Sequence, residues 1–583
     1  MQSLFGDEFN IDFNKPKAKE LASKARVTAG SEEYDPMKIL KSKKVSLEDQ
    51  LLVIKEQVIR VLGKQRKNIV VIRSLNDFSD YITACIESGY ISVDTETNNS
   101  LDPVTCKLMG LCLYYPGGKQ AYIPVNHKDP KTKEKLSNQI TEKQIKEQLQ
   151  RVKDAKTFVV MHNAKFDFSV IKCTCNIELL ADWDTSIAAA LIDENEEKGL
   201  KKQYILHIDP SQQKYSIEGL FAHIPYAYVD PEIFALYAAT DSLMTFRLFK
   251  EYQEPILLAE DNKKVKWVFD NIEMPLVEVT AKMELKGVCV DQALGKRLED
   301  KYNAKLAIVD KNIAEELDKL QDRIVKWKLT KDANDVTKRY VPKKSKLSKE
   351  ALEKRYPLVD NDGKRYAVGK SKASQLTDPI NLASPVQMAI LFYDILKAPI
   401  VNKKSPRGTG EEEIKAIDEK MNIPLCKLLL KRRGLVKILT TYITTIPTLV
   451  EHWPDKRIRF HLDQTGTATG RYSSGGKLKF MDETTDEPIE VSGINIQNIP
   501  SHEKSIRQLF IADCKYDTVE AENNEISIPE YTEIETVNGY KYPIDLTDAD
   551  IIVGEDTNTN YKINKILLDN KIYYINLTPF NSN

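Results

Sequence analysis

The stretch YISVDTE, residues 90–96, is the most informative part of the sequence, because an apolar strand-like run ends there in two acidic residues. A second strand-like run covers residues 69–72, and helical runs alternate with strand-like runs as far as residue 254. Alternation of strands and helices predicts an α/β domain over residues 66–255.

Four acidic residues and one tyrosine stand at spacings that can build a single site. Asp94 and Glu96 are two residues apart on the predicted strand, so their side chains share one face of it. Tyr237 and Asp241 are four residues apart, which makes them neighbours on a helix. Asp167 is the fourth acid. Any one of these carboxylates alone is more often a solvated or capping group, so the prediction depends on the whole set.

Four carboxylates are oxygen ligands for a hard cation. They suit Mg²⁺, or Mn²⁺ in its place, better than zinc. Two such ions about 3.5–4 Å apart can activate a water and stabilise both oxygens of an in-line phosphoryl displacement. The set therefore predicts a site for two Mg²⁺ ions.

The order and spacing of these motifs resemble a known family. Glu96 and Asp167 are 71 positions apart, and Asp167 and Asp241 are 74 apart. The three motifs resemble the 3′–5′ proofreading exonuclease domain of the DNA polymerase I family, family A. Gly110 and residues 122–124 fall where the family's next strands lie. The resemblance implies a ribonuclease H-like α/β domain with a mixed sheet.

The resemblance also implies a role for each side chain. Asp94 would bridge both metals, and Glu96 would help hold the ion that activates the attacking water. Asp167 would support the second metal, and Asp241 would complete the site of the first. Tyr237 would orient the water through its hydroxyl.

A second block of motifs resembles the polymerase region of the same family. The start of the polymerase region and its thumb are resembled by residues 273–291, 381–387 and 427–443. Its first palm motifs are resembled by residues 465–474, 495–500 and 506–510. Residues 427–437 hold five basic and no acidic side chains, which suits phosphate contacts but is also typical of a solvated face. Residues 475–490 link the first two palm motifs and are longer than the family's usual link. The extra length predicts an added hairpin.

By the same resemblance, several side chains would contact DNA. Arg471 would contact the minor groove at the primer end, and Gln497 and Asn498 would contact the primer–template, checking pairing without reading sequence. Asn163 would support the site or the DNA, unless it caps a helix. The predicted DNA-binding residues are Asn163, Lys431, Arg432, Arg433, Lys437, Arg471, Gln497, Asn498 and Arg507.

The sequence departs from the family pattern after residue 513. No Asp-Tyr-Ser-type palm motif and no fingers helix follow, and nucleotidyl transfer needs two metals held by palm carboxylates. We therefore do not expect this chain alone to polymerise. Residues 514–583 hold 13 acidic against 5 basic side chains and resemble the start of the intein/Hedgehog (Hint) β-fold. A truncated Hint-like insert, a split intein beginning at Cys514 and an unrelated β-tail all remain open.

The sequence divides into five predicted regions. They are an N-terminal arm (1–65) ending in a helix near 46–62, the exonuclease domain (66–255), mainly α connecting and thumb helices (256–455), a partial palm (456–513) and an acidic β-rich tail (514–583). Further helices are predicted at 384–398, 411–419 and 424–449, and the lysine-rich stretch 329–372 is predicted to be loop. Gln2, Leu4 and Phe5 faintly resemble a sliding-clamp-binding peptide, although a disordered arm is the commoner explanation for such a stretch.

The composition limits the class of protein and the cellular compartment that we expect. With 42% hydrophobic and 29% charged residues the chain has an ordinary globular composition, and no run approaches the ~18 apolar residues of a membrane helix. No signal peptide is evident, and the eight cysteines show no zinc spacing, so we expect reduced thiols in a cytoplasm, the host's if a phage encodes the chain.

Together these features predict a two-metal 3′–5′ exonuclease that proofreads in DNA replication, with a DNA-binding thumb but no complete polymerase site. One alternative is a split polymerase in which a second chain supplies palm and fingers. Another is a non-catalytic remnant that only holds DNA.

Overall fold

The computed structural model describes most of the chain between residues 36 and 511. Within that span it omits residues 43–44, 216, 331–335, 342–351, 354, 360–362, 372, 483–487 and 501–502. Beyond it, it describes residue 546 and the strands given below. The chain divides into two compact units, and the boundary in the sequence falls between Leu509 and Phe510. The predicted clamp peptide (Gln2, Leu4, Phe5) and Cys514 lie outside the described residues.

A six-stranded mixed sheet organises the first part of the chain. Its strands are β1 (Ile69–Val71), β2 (Tyr90–Thr97), β3 (Leu108–Tyr114), β4 (Gln120–Pro124), β5 (Phe158–Met161) and β6 (Trp183–Asp184), in the order β1-β4-β3-β2-β5-β6. Strands β2, β3 and β4 are antiparallel to their neighbours in this group, whereas β1, β5 and β6 join in parallel. The predicted α/β domain with a mixed sheet is confirmed.

Helices cover both faces of this sheet. They are α1 (Pro36–Leu40), α2 (Leu47–Leu62), α3 (Leu75–Ser88), α4 (Glu142–Asp154), α5 (Ala164–Cys175), α6 (Thr185–Ile192), α7 (Leu200–His207), α8 (Glu218–Phe221) and α9 (Pro231–Arg247). Apolar side chains on each face form a separate core, one around Phe78 and Trp183 and the other around Ile54 and Phe234. Helix α9 packs across β2, β3 and β4, which places its residues over the middle of the sheet.

A helical region follows. It contains α10 (Glu254–Leu257), α11 (Lys263–Val268), α12 (Met274–Lys286), α13 (Gln292–Asp318), α14 (Gln321–Leu329), α15 (Pro385–Ala389), α16 (Glu411–Met421), α17 (Pro424–Ile438) and α18 (Thr445–Leu449). The long helix α13 packs against α17, and a core including Ile313, Phe392 and Leu425 fills the space around them. The helices predicted for this region are observed. None of the described helices is both long and apolar enough to cross a membrane.

The loop prediction for residues 329–372 is wrong in part. Strands β8 (Val336–Tyr340), β9 (Leu358–Val359) and β10 (Arg365–Ser371) form a small antiparallel sheet there, in the order β8-β10-β9. Valine, threonine and tyrosine in these segments favour extended backbone. The density of lysine and arginine around them concealed that preference in the sequence.

Residues 457–509 contain short elements. Strand β7 (Val288–Val290), from the helical region, pairs with β11 (Arg457–Ile458), and β12 (Leu462–Asp463) pairs with β13 (Ser473–Ser474). Strands β14 (Lys477–Met481) and β15 (Pro488–Ser492) form a hairpin, as predicted, and the Gly493 N–H donates to the Gly476 carbonyl at 2.8 Å to close its base. Helix α19 (Lys504–Arg507) follows.

The second unit is rich in strands. They are β16 (Phe510–Ile511), β17 (Glu525–Pro529), β18 (Ile534–Thr536), β19 (Gly539–Lys541), β20 (Ile551–Val553), β21 (Asn560–Asp569) and β22 (Ile572–Phe580). The last six form one antiparallel sheet in the order β17-β22-β21-β20-β18-β19. The predicted β-rich tail is therefore observed.

Candidate metal centre

Strand β2 places two acids on one face at the middle of the sheet. Asp94 stands opposite Cys112 on β3, and Glu96 stands opposite Gly110. One ligand atom each from Asp94, Glu96 and Cys112 lie within 4.8 Å of one another. Val93, between Ser92 and Asp94, is fully buried in the core on the other face. The alternation of the strand thus separates core from site, as the sequence predicted.

Gly110 leaves room for a tyrosine beside Glu96. A Cβ added at position 110 would lie 2.3 Å from the ring of Tyr122, which is fully buried and cannot move aside cheaply. The Tyr122 hydroxyl is 2.7 Å from Nε2 of the buried His127. A glycine is therefore required opposite Glu96 by close packing.

Asp167 reaches the site from helix α5 and is fixed by strand β2. The backbone N–H of Thr95 and its hydroxyl both donate to Oδ1 of Asp167, at 2.9 and 2.6 Å. Asp167 is only 3% exposed. Two hydrogen bonds to a buried carboxylate hold its orientation, so the residue between the two β2 acids positions the third acid.

Asp184 holds the start of helix α5. Its carboxylate accepts the N–H groups of Asn163 and Ala164, at 3.0 and 2.7 Å, and that of Ser186 at the start of α6. Asn163 occupies the N-cap position in a left-handed conformation, but its own side chain makes no capping bond. The capping role considered for Asn163 thus belongs to Asp184.

Helix α9 contributes Tyr237 and Asp241, one turn apart as predicted. The ring of Tyr237 stacks on Phe221 with centroids 4.3 Å apart. Lys201, from helix α7, lies 3.2 Å from Oδ2 of Asp241 and 4.7 Å from the centre of the Tyr237 ring. Nothing in the sequence pattern had indicated this lysine, because α7 carries no motif.

The carboxylates interact strongly with one another. Burial raises the pKa of Asp94 well above its usual value, and the neighbouring Asp167, Glu96 and Asp241 raise it further. Burial, followed by the charge of Asp241, raises the pKa of Glu96 to about 8. Burial raises the pKa of Asp167 to about 7, although its bonds from Thr95 oppose that rise.

Such a cluster needs cations if all its members are to be ionised at neutral pH. Buried like charges repel, and one lysine balances only part of the charge of four carboxylates. Two divalent ions would balance it, and carboxylate oxygens are the ligands that Mg²⁺ prefers. The residues present therefore fit a divalent metal centre built from Asp94, Glu96, Asp167 and Asp241.

The predicted DNA-binding residues have differing surroundings. On α17, Arg432 donates to Asp310 at 2.6 Å and Arg433 donates to the Thr409 carbonyl at 2.6 Å, so both contact protein. The remaining predicted contact residues beyond the first domain are exposed: Lys431, Lys437, Arg471, Gln497, Asn498 and Arg507.

A largely buried ion pair joins helix α5 to the region after it. Lys165, 9% exposed, lies 2.5 Å from Oε1 of Glu284 on α12 and also donates to the Leu462 carbonyl. The Leu462 N–H donates to the same Glu284 oxygen at 2.6 Å. Nothing in the sequence indicated this pair, because partners 119 positions apart leave no local signal.

Family models match two parts of the chain. Residues 69–256 match the model described as 3′–5′ exonuclease, and residues 359–528 match DNA polymerase family A. The resemblance that the sequence motifs indicated is thereby confirmed.

Curated relatives agree with these matches. The chain is 25% identical to DNA polymerase I of Chloroflexus aurantiacus over 473 residues, which cover 79% of this chain and 41% of that protein. It is 24% identical to the DNA polymerase of Bacillus phage SP01 over 381 residues, or 63% of this chain and 38% of that one. The chain spans about two fifths of the length of these relatives.

A solved structure is also similar. It is the POL domain of Pol1 from M. smegmatis in complex with a DNA primer-template and dNTP, with a TM-score of 0.49 and 16% identity. The similarity covers 80% of this chain and 61% of that one.

Proposed function

We propose that this chain, which carries a 3′–5′ exonuclease region followed by a DNA polymerase family A region, removes nucleotides one at a time from 3′ ends of DNA during replication. The observation that carries the proposal is the convergence of Asp94, Glu96, Asp167 and Asp241, which come from one strand and two helices and interact electrostatically. The arrangement suits the hydrolysis of a phosphodiester with two metal ions.

The metal ligands would be Asp94, Glu96, Asp167 and Asp241. Two Mg²⁺ ions, or Mn²⁺ in their place, supply a hydroxide nucleophile and charge stabilisation when bound. Thr95 keeps the Asp167 carboxylate facing the site through its two hydrogen bonds. Tyr237, held by stacking on Phe221, would orient the attacking water with its hydroxyl.

The remaining DNA contacts belong to the same proposal. The exposed Lys431 and Lys437 offer charge to phosphates, and Arg471, Gln497, Asn498 and Arg507 would contact a primer–template. Arg432 and Arg433 would first have to leave their protein partners. Asn163 would support the site or contact the DNA.

The wider setting is also proposed. The five regions would be 1–65, 66–255, 256–455, 456–513 and 514–583. The chain would work in a cytoplasm, which is the host's if a phage encodes it. Gln2, Leu4 and Phe5 would engage a sliding clamp. In a second candidate function, this chain is the DNA-binding and exonuclease subunit of a split polymerase, and another chain supplies palm and fingers.

A labelled primer tests the function. A 5′-labelled primer annealed to a longer template is incubated with Mg²⁺ and all four nucleotides, beside an Asp94→Ala, Asp167→Ala double variant. We expect the wild-type chain to shorten the primer and the variant to leave it intact. Lengthening of the primer would show that a polymerase site is complete, and DNA binding without any shortening would favour the non-catalytic remnant.

A further inference from the structure

The hairpin β14–β15 contacts the loop that leaves the metal-binding strand. The carbonyl of Lys479 on β14 accepts the Leu101 N–H at 2.9 Å and the Ser100 hydroxyl at 3.0 Å. Residues 98–102 form this loop, which begins directly after β2 and two residues after Glu96. A segment more than 370 residues away in sequence thus binds the backbone next to a proposed metal ligand.

A buried aromatic contact reinforces this junction. Nε1 of Trp453 donates to Oδ1 of Asp102 at 3.0 Å, and both residues are at most 5% exposed. Phe480 on β14 meets the Trp453 ring edge to face at 5.4 Å and stacks on His452 at 4.7 Å. A hydrogen bond to a buried carboxylate is among the stronger ones, so the contact fixes the loop firmly.

The loop is also tied back to the exonuclease site. The Thr97 hydroxyl donates to the Ser100 carbonyl at 2.6 Å, which couples the loop to the end of β2. The side chain of Asn99 accepts the Tyr226 N–H at 2.8 Å and donates to the Ile224 carbonyl at 3.2 Å. Those partners precede α9, the helix that bears Asp241. The loop therefore joins the hairpin to two elements that carry metal ligands.

We propose that the β14–β15 hairpin, with Trp453 and Phe480, is a positioning element for Glu96 and hence for metal binding at the exonuclease site. The inference rests on the proposed function. Groups that orient a metal ligand from outside the coordination shell change metal affinity by about 10–100-fold when they are removed. The hairpin would thus make the metal affinity of the exonuclease site depend on the region that follows it.

Because the two ends of the hairpin lie next to each other, the hairpin can be deleted without leaving a gap in the backbone. Gly476 and Gly493 are already hydrogen bonded, so removing residues 477–492 joins two neighbouring positions without stretching the chain. We expect the Mg²⁺ concentration at half-maximal exonuclease activity to rise about 10-fold. The maximal rate at saturating Mg²⁺ should stay within about twofold of wild type, because the metal-loaded site is the same.

A second variant avoids the deletion. Trp453→Phe keeps an aromatic ring beside Phe480 but removes the donor to Asp102, and we expect a smaller increase in the Mg²⁺ midpoint. Glu490→Gln is the matched control, since Glu490 lies on the hairpin and pairs with Lys477 on its exposed face. That control should leave the midpoint unchanged.

Two readouts besides activity complete the test. Amide hydrogen exchange at Leu101 should accelerate in the deletion variant, and the rise in melting temperature on adding Mn²⁺ at a fixed, subsaturating concentration should shrink. An unchanged midpoint, or a lower maximal rate at an unchanged midpoint, would overturn the positioning role and leave the proposed function intact. A wild-type chain that never shortens DNA would overturn both.

Discussion

The exonuclease region and the segment 457–509 arrange their predicted functional residues in opposite ways. In the first, an eight-residue strand and a seventeen-residue helix hold half-buried carboxylates close to one another. In the second, strands β11, β12 and β13 have two residues each, and Arg471 and Gln497 are exposed. One region is organised to hold its ligands before a substrate arrives, and the other presents side chains that a bound DNA would have to order.

This difference separates two kinds of residue. A preorganised site contains repulsion that only its ligand relieves, so removing a group there should lose function without losing stability. An exposed contact surface contains no such repulsion. Substitutions there should weaken DNA binding and leave both stability and the chemical step unchanged.

The largest effect is expected from Asp241→Asn. Removing the charge of one proposed metal ligand should lower exonuclease activity more than 100-fold, because even groups outside the coordination shell change metal affinity about 10–100-fold. The melting temperature in EDTA should not fall, since one of four mutually repelling carboxylates is lost. Melting curves with EDTA and gel assays of labelled oligonucleotides measure both quantities. A marked fall in melting temperature would contradict the preorganised site.

The second largest effect is expected on DNA binding by the exposed residues of the segment 457–509. Arg471→Ala should weaken primer–template binding about 10-fold, or ~1.4 kcal/mol, while degradation of a single-stranded oligonucleotide continues at the wild-type rate. Fluorescence anisotropy measures the binding. Lys477→Ala is the matched control, because Lys477 is also exposed and basic but pairs with Glu490. Equal losses with both variants would show that only overall charge matters.

The third effect is a pH dependence in the exonuclease core. Burial lowers the pKa of His127 to about 4. In the unfolded chain the value is near 6.5, so below that pH the unfolded state takes up a proton that the folded state refuses. The contribution of His127 to the free energy of unfolding is therefore fully present above pH 6.5 and is lost as the pH drops toward 4. Between pH 6.5 and 5.5 this one group should remove ~1 kcal/mol from the free energy of unfolding.

His127→Gln isolates that contribution. Glutamine can still bond to the Tyr122 hydroxyl but does not titrate, so the variant should lose less stability than wild type over the same pH interval. Urea unfolding at each pH measures the difference. Parallel pH profiles for the two proteins would show that His127 is not buried in its neutral form.

The smallest effect is expected from Lys201→Met. The lysine competes with a cation for Asp241, so its removal should tighten Mg²⁺ binding about twofold, or ~0.4 kcal/mol, in line with a partly exposed ion pair. The Mg²⁺-induced rise in melting temperature measures this. Lys202→Met serves as the control, because Lys202 is the next residue but pairs with the exposed Glu197.

Local spacing predicted the parts of the site that depend on local geometry. Asp94 and Glu96 share a strand face and Tyr237 and Asp241 share a helix face because those periods are fixed by the backbone. The resemblance of the motifs to a family then predicted that Asp167 joins them. The mixed sheet and the added hairpin were predicted in the same way.

The remainder depends on contacts between distant segments. Thr95 bonding to Asp167, Lys201 facing Asp241 and Lys165 pairing with Glu284 have no periodic signature, since each joins elements that only the tertiary fold brings together. The strands of β8 to β10 were missed for a different reason. The preference of their residues for extended backbone was a weaker signal than the high density of basic residues around them, which is typical of loops.

The contact between position 110 and the Tyr122 ring has a consequence for random mutagenesis. Every amino-acid replacement of a glycine adds a Cβ. At position 110, which pairs with Glu96, that atom would lie 2.3 Å from the buried Tyr122 ring. A gene library screened for chains that keep the nuclease should therefore return glycine at this codon almost without exception. The same library screened only for DNA binding by the later region should tolerate changes there, so the codon's diversity would report which of the two activities was under selection.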